Sequence, residues 1–319
     1  MASIDISIVI VNWNTRELVE NCISSIKKYV HGVTYEIIVS DNGSADGSVE
    51  MLRNDPDVIL IENNANLGFA VANNIGLRVA KGRYLLLLNS DTVLHEEGLV
   101  SCFKKMEEDQ KIGLLGCRLL NADGSLQLSC ARFPDLLTPV FRKLFFEKII
   151  SRLFKRKMQF SSIYSEEQHL SDFNPDWLIG AFMLVKREAF DQVGGLDEAY
   201  FMYSEDMDWC YRFRQAGWEI HYLASTRVTH FGGGSSDQVP IRTIKRKVDS
   251  LILYFSKHRN NCYARSYVFI EGISGLLNAV VFFGMGCFTI RKNSFFARAA
   301  NGLHRARFCF GAVISIDKQ

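Results

Sequence analysis

From its start the chain alternates continuous apolar runs with segments whose apolar residues recur every three or four positions. Residues 4–11 are a largely β-branched run, interrupted by Asp5 and Ser7 and continuous from Ile8, as expected of a strand buried on both faces. Residues 15–29 then place Leu18, Val19, Cys22, Ile23 and Ile26 at helical spacing. The unit repeats, with strands predicted over 35–39, 58–61 and 84–88 and helices over 44–54 and 69–80. Alternation of this kind predicts an α/β fold with a right-handed, mostly parallel central sheet. Ligands of such sheets bind beyond the carboxyl ends of the strands. Those ends carry Asn12 and Asn14, Asp41 and Asn42, Asn63 and Asn66, and Asn89 and Asp91.

Further on, a strand over 112–120 runs into the turn Asn121-Ala122-Asp123-Gly124-Ser125, which predicts a hairpin. Residues 177–185 read as a strand, 186–193 as a helix closed by Gly194-Gly195, 205–216 as a helix ending at Gly217, and 219–223 as a strand. Residues 241–257 form an amphipathic pattern, and 268–290 are strongly apolar with Glu271 as their one charge. The expected organisation is a first domain over 1–235, with a basic lid or acceptor-side excursion over 134–176, and a helical, apolar and basic region over 236–319.

Composition narrows the classes. With 319 residues, 48% hydrophobic and 23% charged, the chain can bury a substantial core, which excludes disordered and fibrous proteins. A net charge of +2 gives no global field of the kind that coats nucleic acid, so no nucleic-acid partner is expected. The eight cysteines form no C-x-x-C pair, which points to reduced thiols rather than a metal knuckle or disulfide framework. The N-terminal residues lack a basic n-region and lead into a strand, so no signal peptide is expected.

Three places carry candidate chemistry. Asp41, in Val39-Ser40-Asp41-Asn42-Gly43-Ser44, stands at a strand-to-helix junction, where its carboxylate either accepts the imide N–H of a uracil or thymine or caps the turn. Asp91, in Asn89-Ser90-Asp91-Thr92, offers an oxygen to Mg²⁺ or Mn²⁺ against a diphosphate, and one carboxylate needs help. His230 is a candidate for that help or an ordinary hydrogen-bonded histidine. The segment Phe201-Met202-Tyr203-Ser204-Glu205-Asp206-Met207-Asp208-Trp209 gathers three carboxylates at a helix start, where they either yield a general base or complement the helix N-terminus.

These motifs, with Ile8-Val9-Ile10-Val11-Asn12-Trp13-Asn14, Asn66-Leu67-Gly68-Phe69-Ala70, Asn73-Asn74-Ile75-Gly76 and Gly180-Ala181-Phe182-Met183-Leu184, resemble family 2, GT-A-fold glycosyltransferases over residues 4–234. The resemblance is strongest to the bacterial rhamnosyltransferase-like branch that builds O-antigen and cell-wall polysaccharide. It implies an inverting transfer from a nucleotide-diphosphate sugar, best matched by dTDP-L-rhamnose, to a saccharide or lipid-linked saccharide acceptor. The implied catalytic residues are Asp206, as base, and its neighbour Glu205. The implied donor site runs along Asn12, Asn14, Asp41, Asn66, Gly68, Asn74, Asn89, Asp91, Gly180 and Ala181, with Asp91 and His230 on a divalent cation. Two departures stand out. Asn89-Ser90-Asp91 replaces the Asp-x-Asp of many members, and Asn73-Asn74 replaces an Arg-Asn.

Rival readings are another nucleotide-using α/β enzyme, such as a sugar nucleotidyltransferase, and a catalytically silent sugar-binding scaffold. The first would favour a Gly-rich, basic loop after the first strand, where this chain has Asn12-Trp13-Asn14-Thr15. Residues 143–157 mix Phe, Ile and Leu with Lys and Arg, as an interfacial helix on anionic lipid does, or as a solvated basic face does. Together with the 268–290 run and its basic downstream flank, they predict a membrane surface as partner. The expected location is the cytoplasmic face of a bacterial inner membrane, in a peripheral or monotopic arrangement.

Overall fold

The computed structural model describes residues 4–96, 98–136, 138–139, 162–232, 240–287 and 292–315. The basic segment 143–157 lies outside the described residues. The described chain divides into two compact units, one built from residues 1–132 and 163–238, the other from 133–162 and 239–319.

The first unit begins β1 (Ile6–Asn12), α1 (Arg16–Tyr29), β2 (Tyr35–Asp41), α2 (Ser48–Arg53), β3 (Val58–Glu62), α3 (Phe69–Val79) and β4 (Tyr84–Asn89). It continues β5 (Thr92–Leu94), α4 (Gly98–Glu108), β6 (Ile112–Leu120), β7 (Leu126–Gln127), β8 (Cys130–Ala131), β9 (Trp177–Leu178), β10 (Phe182–Lys186), α5 (Arg187–Val193), α6 (Glu205–Gln215) and β11 (Glu219–His230). Among the described residues the main sheet runs β3-β2-β1-β4-β10-β6-β11-β5, with β7 on β6, and β8 pairs β9 in a small second sheet. β3, β2, β1 and β4 are mutually parallel, whereas β10 is antiparallel to both neighbours.

The apolar runs explain this architecture. Ile6, Ile8 and Ile10 of β1 pack with α1 and α4 residues such as Cys22, Ile26, Leu99 and Met106 on one face. Val9, on the other face, joins Ile38, Leu85 and Leu87 and the helical residues Ala70, Leu77, Trp209 and Phe213. Strands buried on both sides cannot alternate polar and apolar residues, and these do not. α3 sits close to β1 because Gly76 has no Cβ: one placed there would fall 2.5 Å from Val9 Cγ1.

Four elements differ from expectation. The helix predicted over 44–54 starts only at Ser48, because Asp46 Oδ1 takes the Ser48 N–H and hydroxyl and Gly47 adopts φ +83°. The strand predicted over 177–185 is two strands in two sheets, broken at Ile179-Gly180-Ala181. β11 extends past Leu223 through an irregular register to His230. β5 and α4 were not anticipated, although Leu99, Cys102, Phe103 and Met106 carry helical spacing. The predicted hairpin is present as β6 and β7, and all eight cysteines are free thiols.

The second unit contains α7 (Pro240–His258), α8 (Asn261–Cys287) and α9 (Lys292–Ser315). α8 and α9 cross closely at paired glycines. A Cβ on Gly275 would lie 2.9 Å from the Gly302 carbonyl oxygen, and one on Gly302 would lie 2.7 Å from that of Gly275. Glu271, buried on α8, pairs with Arg305 of α9.

Candidate active site

The sheet registers decide what meets at the carboxyl edge. β5 runs antiparallel to the end of β11 with Thr92 opposite His230, so Asp91, one residue earlier, falls beside the imidazole. The Phe231 N–H donates to the Asp91 carbonyl oxygen at 2.9 Å and locks the arrangement. Asp91 Oδ1 lies 3.3 Å from His230 Nε2, with 13% and 12% of the two side chains exposed, so the pair is recessed but reachable. Asn89, at the end of β4, approaches the same nitrogen through Nδ2 at 3.4 Å, and its Oδ1 is buried with no hydrogen-bond partner.

These atoms fit a divalent cation. A carboxylate oxygen and an imidazole nitrogen face each other, and a buried amide oxygen beside them lacks a donor. Among the described residues no cluster of three or more His, Cys, Asp or Glu suits a metal ion. Mg²⁺ and Mn²⁺ commonly take few protein ligands and complete their shells with substrate phosphates and water, so two protein ligands suffice only with a diphosphate present. Gln127, which the sequence reading missed, accepts from His230 Nδ1 through Oε1 at 2.7 Å. Its only sequence signal is its place just after the hairpin turn.

A second group stands on β10 and α6. Asp206, in the first turn of α6, accepts the Gly180 N–H on Oδ2 at 3.0 Å and the Met207 N–H on Oδ1 at 2.8 Å. Burial pushes its carboxyl up to about 6, against the lowering effect of the Gly180 and Met207 N–H groups. Glu205 is buried, and desolvation together with the Asp206 charge holds its carboxyl well above the usual range. Its neighbour Asp206 is the more exposed of the two. Asp208 is buried and committed elsewhere, to Arg212 Nε at 2.8 Å and the Tyr200 hydroxyl at 3.4 Å. Tyr203 and Ser204, just before α6, both adopt left-handed φ, of 75° and 66°, and carry backbone strain into the site.

The two groups are joined through the dipeptide segment Gly180-Ala181. Gly180 N–H holds Asp206, while the Ala181 carbonyl accepts the Asn89 N–H at 3.1 Å. Gly180 and Ala181 therefore act through their backbone.

The other predicted donor-site residues are framework as placed here. Asn12 is buried and donates to Asp41 Oδ2 at 2.7 Å and Ser44 Oγ at 3.1 Å, while its own Oδ1 accepts from Thr15. Asp41, only 1% exposed, takes the Ser44 N–H on its other oxygen at 2.8 Å, which is the turn-capping alternative. Asn14 is left-handed and holds the Ala45 N–H. Asn66 Oδ1 caps the Gly68 N–H at 3.1 Å. Gly68, at φ +88°, lets Phe201 approach: a Cβ there would meet the Phe201 carbonyl oxygen at 2.5 Å. Asn74 clasps Leu196 through both ends of its amide, at 2.7 and 2.9 Å.

Against known proteins, the description "Glycosyl transferase family 2" matches residues 7–211, a stretch that includes Asp91 and Asp206 and stops before His230. The N-acetylglucosaminyl-diphospho-decaprenol L-rhamnosyltransferase of Mycobacterium tuberculosis is 28% identical over 216 residues, covering 64% of this chain and 69% of that protein. The rhamnosyltransferase WbbL of Escherichia coli K12 is 28% identical over 233 residues, covering 70% and 83%. Among solved structures, a mannosyltransferase from Pyrobaculum calidifontis in complex with GDP-Man and Mn²⁺ has a TM-score of 0.59 at 15% identity, covering 97% of this chain and 88% of that one. The fold is of the GT-A type.

Because Asp206 binds its proton more tightly when folded, it stabilises the folded state fully below pH 3.8, and the contribution is lost as pH rises through about 6. Asp206→Asn, which cannot ionise, lacks this term. Its unfolding free energy should therefore gain on the parent's between pH 4 and pH 7, by at most about 3 kcal/mol at ~1.4 kcal/mol per tenfold change in proton affinity. Urea midpoints at the two pH values check this, and a gap that stays constant would place the Asp206 titration elsewhere.

Proposed function

We propose that this chain, which belongs to glycosyl transferase family 2, moves L-rhamnose or a related deoxyhexose from a dTDP-linked donor to a lipid-diphosphate-linked saccharide, with inversion, in O-antigen or cell-wall polysaccharide synthesis. The observation that carries this reading is the pairing of a recessed Asp91–His230 site with a partly exposed carboxylate, Asp206, tied to it through the backbone of the two-residue segment Gly180-Ala181. The two rhamnosyltransferase relatives support the choice of sugar, and the decaprenyl diphosphate in the mycobacterial relative's name supports the acceptor class.

In the transfer, the donor diphosphate lies at the Asp91–His230 edge. Asp206, ionised at neutral pH with its carboxyl pushed up to about 6, takes the proton of the acceptor hydroxyl. That oxygen forms the new bond to the anomeric carbon as the bond from this carbon to the donor phosphate oxygen breaks. The pair leaves with the nucleoside diphosphate, and the configuration inverts. A divalent cation held by Asp91 and His230 would neutralise charge on the departing diphosphate. The Gly180 and Met207 N–H groups aim Asp206 and keep its carboxylate oriented for the proton. Burial and the Asp206 charge push the neighbouring Glu205 carboxyl upward, which disfavours a second negative charge at the site.

The reading extends to the membrane. α8 is long and apolar enough over residues 261–284 to cross a bilayer by length and composition. Its residues Phe269, Ile273, Leu276, Leu277, Val280 and Phe283 are exposed along one helical stripe. Arg298 and Arg307 are exposed on α9. Such a stripe with basic neighbours suits monotopic insertion into an anionic leaflet, and the cytoplasmic face is the side where a soluble nucleotide sugar meets a lipid-linked acceptor.

Asp206→Asn should lower kcat by about 10²–10⁴-fold, the worth of a general base, and leave the donor Kd close to the parent's. Asp91→Ala should instead weaken Mn²⁺-dependent donor binding. Isothermal titration with dTDP-rhamnose, run beside a coupled diphosphate-release assay, separates the two effects. Near-normal turnover in Asp206→Asn moves the base elsewhere, and unchanged donor affinity in Asp91→Ala rejects the diphosphate site. For the membrane, the double variant Phe269→Glu, Val280→Glu should lose co-flotation with anionic vesicles at unchanged soluble turnover. Undiminished flotation would remove the α8 stripe from membrane binding.

A further inference from the structure

We propose that Gln127 is a positioning residue for transfer: it fixes the tautomer and ring orientation of His230, so that Nε2 presents a lone pair beside Asp91. The inference rests on the reading of Asp91 and His230 as cation ligands, and it concerns a residue outside that pair.

The argument follows donors and acceptors along the β6–β7 hairpin. The turn is closed by Asn121 N–H to the Ser125 carbonyl at 2.8 Å and Gly124 N–H to the Asn121 carbonyl at 2.9 Å. The Asn121 side-chain Nδ2 donates to Ser125 Oγ at 2.9 Å and to the Leu126 carbonyl at 3.4 Å. Its Oδ1 is therefore the acceptor end, and it receives Gln127 Nε2 at 3.0 Å. The same Nε2 also reaches the His230 carbonyl at 3.4 Å. With the Gln127 amide thus oriented, Oε1 is left to face His230 Nδ1 at 2.7 Å, and an oxygen there can only accept.

A neutral imidazole carries one N–H. In a neutral His230 ring the Gln127 Oε1 acceptor places that N–H on Nδ1 and leaves Nε2 bare. That nitrogen faces Asp91 Oδ1 at 3.3 Å, and two acceptors at this separation with no proton between them repel unless a cation joins them. The Asn89 Nδ2 at 3.4 Å is a long contact that leaves its own Oδ1 buried without a donor. The chain from the Asn121 and Gln127 amides to the His230 imidazole thus sets the site for a cation rather than for a simple His–Asp hydrogen bond. Backing of a ligating imidazole by an acceptor on its far nitrogen is a general means of tuning metal affinity, and its loss typically costs 10–100-fold. β7, two residues long and paired to β6 at Leu119 and Leu120, delivers the Gln127 side chain to this place.

The test uses the full chain and two variants. Gln127→Leu removes the acceptor, and Gln127→Glu retains an acceptor at the same reach. In metal-free protein with ¹⁵N-labelled histidine, long-range ¹H–¹⁵N spectra report the tautomer, and His230→Gln identifies the His230 signals by their loss. The parent and Gln127→Glu should show the Nδ1–H form, and Gln127→Leu should shift toward Nε2–H. Mn²⁺ titrated calorimetrically in the presence of dTDP should bind about tenfold more weakly to Gln127→Leu and close to the parent's affinity in Gln127→Glu. An Nε2–H tautomer in the parent overturns the proposal, as does Gln127→Leu with the parent's tautomer and Mn²⁺ affinity. A parent that binds no Mn²⁺ defeats the cation reading of Asp91 and His230 instead, while the tautomer spectra still decide whether Gln127 holds the ring.

Discussion

The site depends on a two-residue segment, Gly180-Ala181. Its two neighbours in space are Asp206, held by the Gly180 N–H, and Asn89, whose own N–H is held by the Ala181 carbonyl. The segment can stand there because β10 runs against the parallel strands β1, β2 and β4. A parallel strand would bring its carboxyl end to this edge. An antiparallel one brings its beginning, and with it the residues that precede the strand. The break at Ile179-Gly180-Ala181 frees the Gly180 N–H from any ladder and turns it toward α6. Gly180 packs closely on the site: a Cβ there would make ordinary contacts with Asp206 Cβ at 3.4 Å and the Phe69 ring at 3.7 Å.

Around this link the polar residues of the sheet edge are mostly neutral, and neutrality is what allows so many to be buried together. Asn12, Thr15, Ser44 and Ser90 are joined by hydrogen bonds of 2.7 to 3.1 Å, with Asp41 the one carboxylate among them. Replacing several asparagines by aspartates would crowd like charges in a low-dielectric space, at a cost of several kcal/mol for each buried ion. The asparagines instead satisfy one another and fix the loops that follow β1 and β2. Such a framework holds its shape before a ligand arrives, which is the condition for electrostatic stabilisation to cost no reorganisation during the reaction. Asn74 extends it on the far side of α3 by clasping the chain at Leu196.

Much of this was legible in the sequence because the central strands are buried on both faces. Continuous apolar runs such as residues 84–88 announce themselves locally, and so do polar residues such as Asn89 that end them. The pair Asp91 and His230 was legible as chemistry but not as geometry, because its 139-residue separation is closed only by the β11 extension past Leu223. Asp41 carries the same motif as a ligand or as a cap, and what the fold adds is its burial and its bonds to Ser44 and Asn12. Gln127 could not be found from spacing at all. Its importance comes from which end of its amide meets Asn121, and that orientation is a property of three dimensions. The strand break at Gly180 was hidden for the opposite reason, since residues 177–185 are apolar throughout apart from the glycine.

The second unit shows how a single charge in an apolar helix can mislead in sequence. Glu271 interrupts the run that α8 carries, and taken alone it argues against insertion in lipid, where an unpaired carboxylate is costly. In the structure it is buried on the side of α8 that meets α9 and paired with Arg305, so the charge is not offered to the exposed face. The glycines have the same logic. Gly275 and Gly302 would weaken an isolated helix, yet at this crossing they let two backbones come close enough for each to exclude a Cβ from the other. Polar and small residues therefore gather on the helix–helix face, and the opposite face of α8 is left with Phe269, Ile273, Leu276, Val280 and Phe283. The polar and small residues of the segment and its exposed apolar residues thus lie on two different sides of the helix.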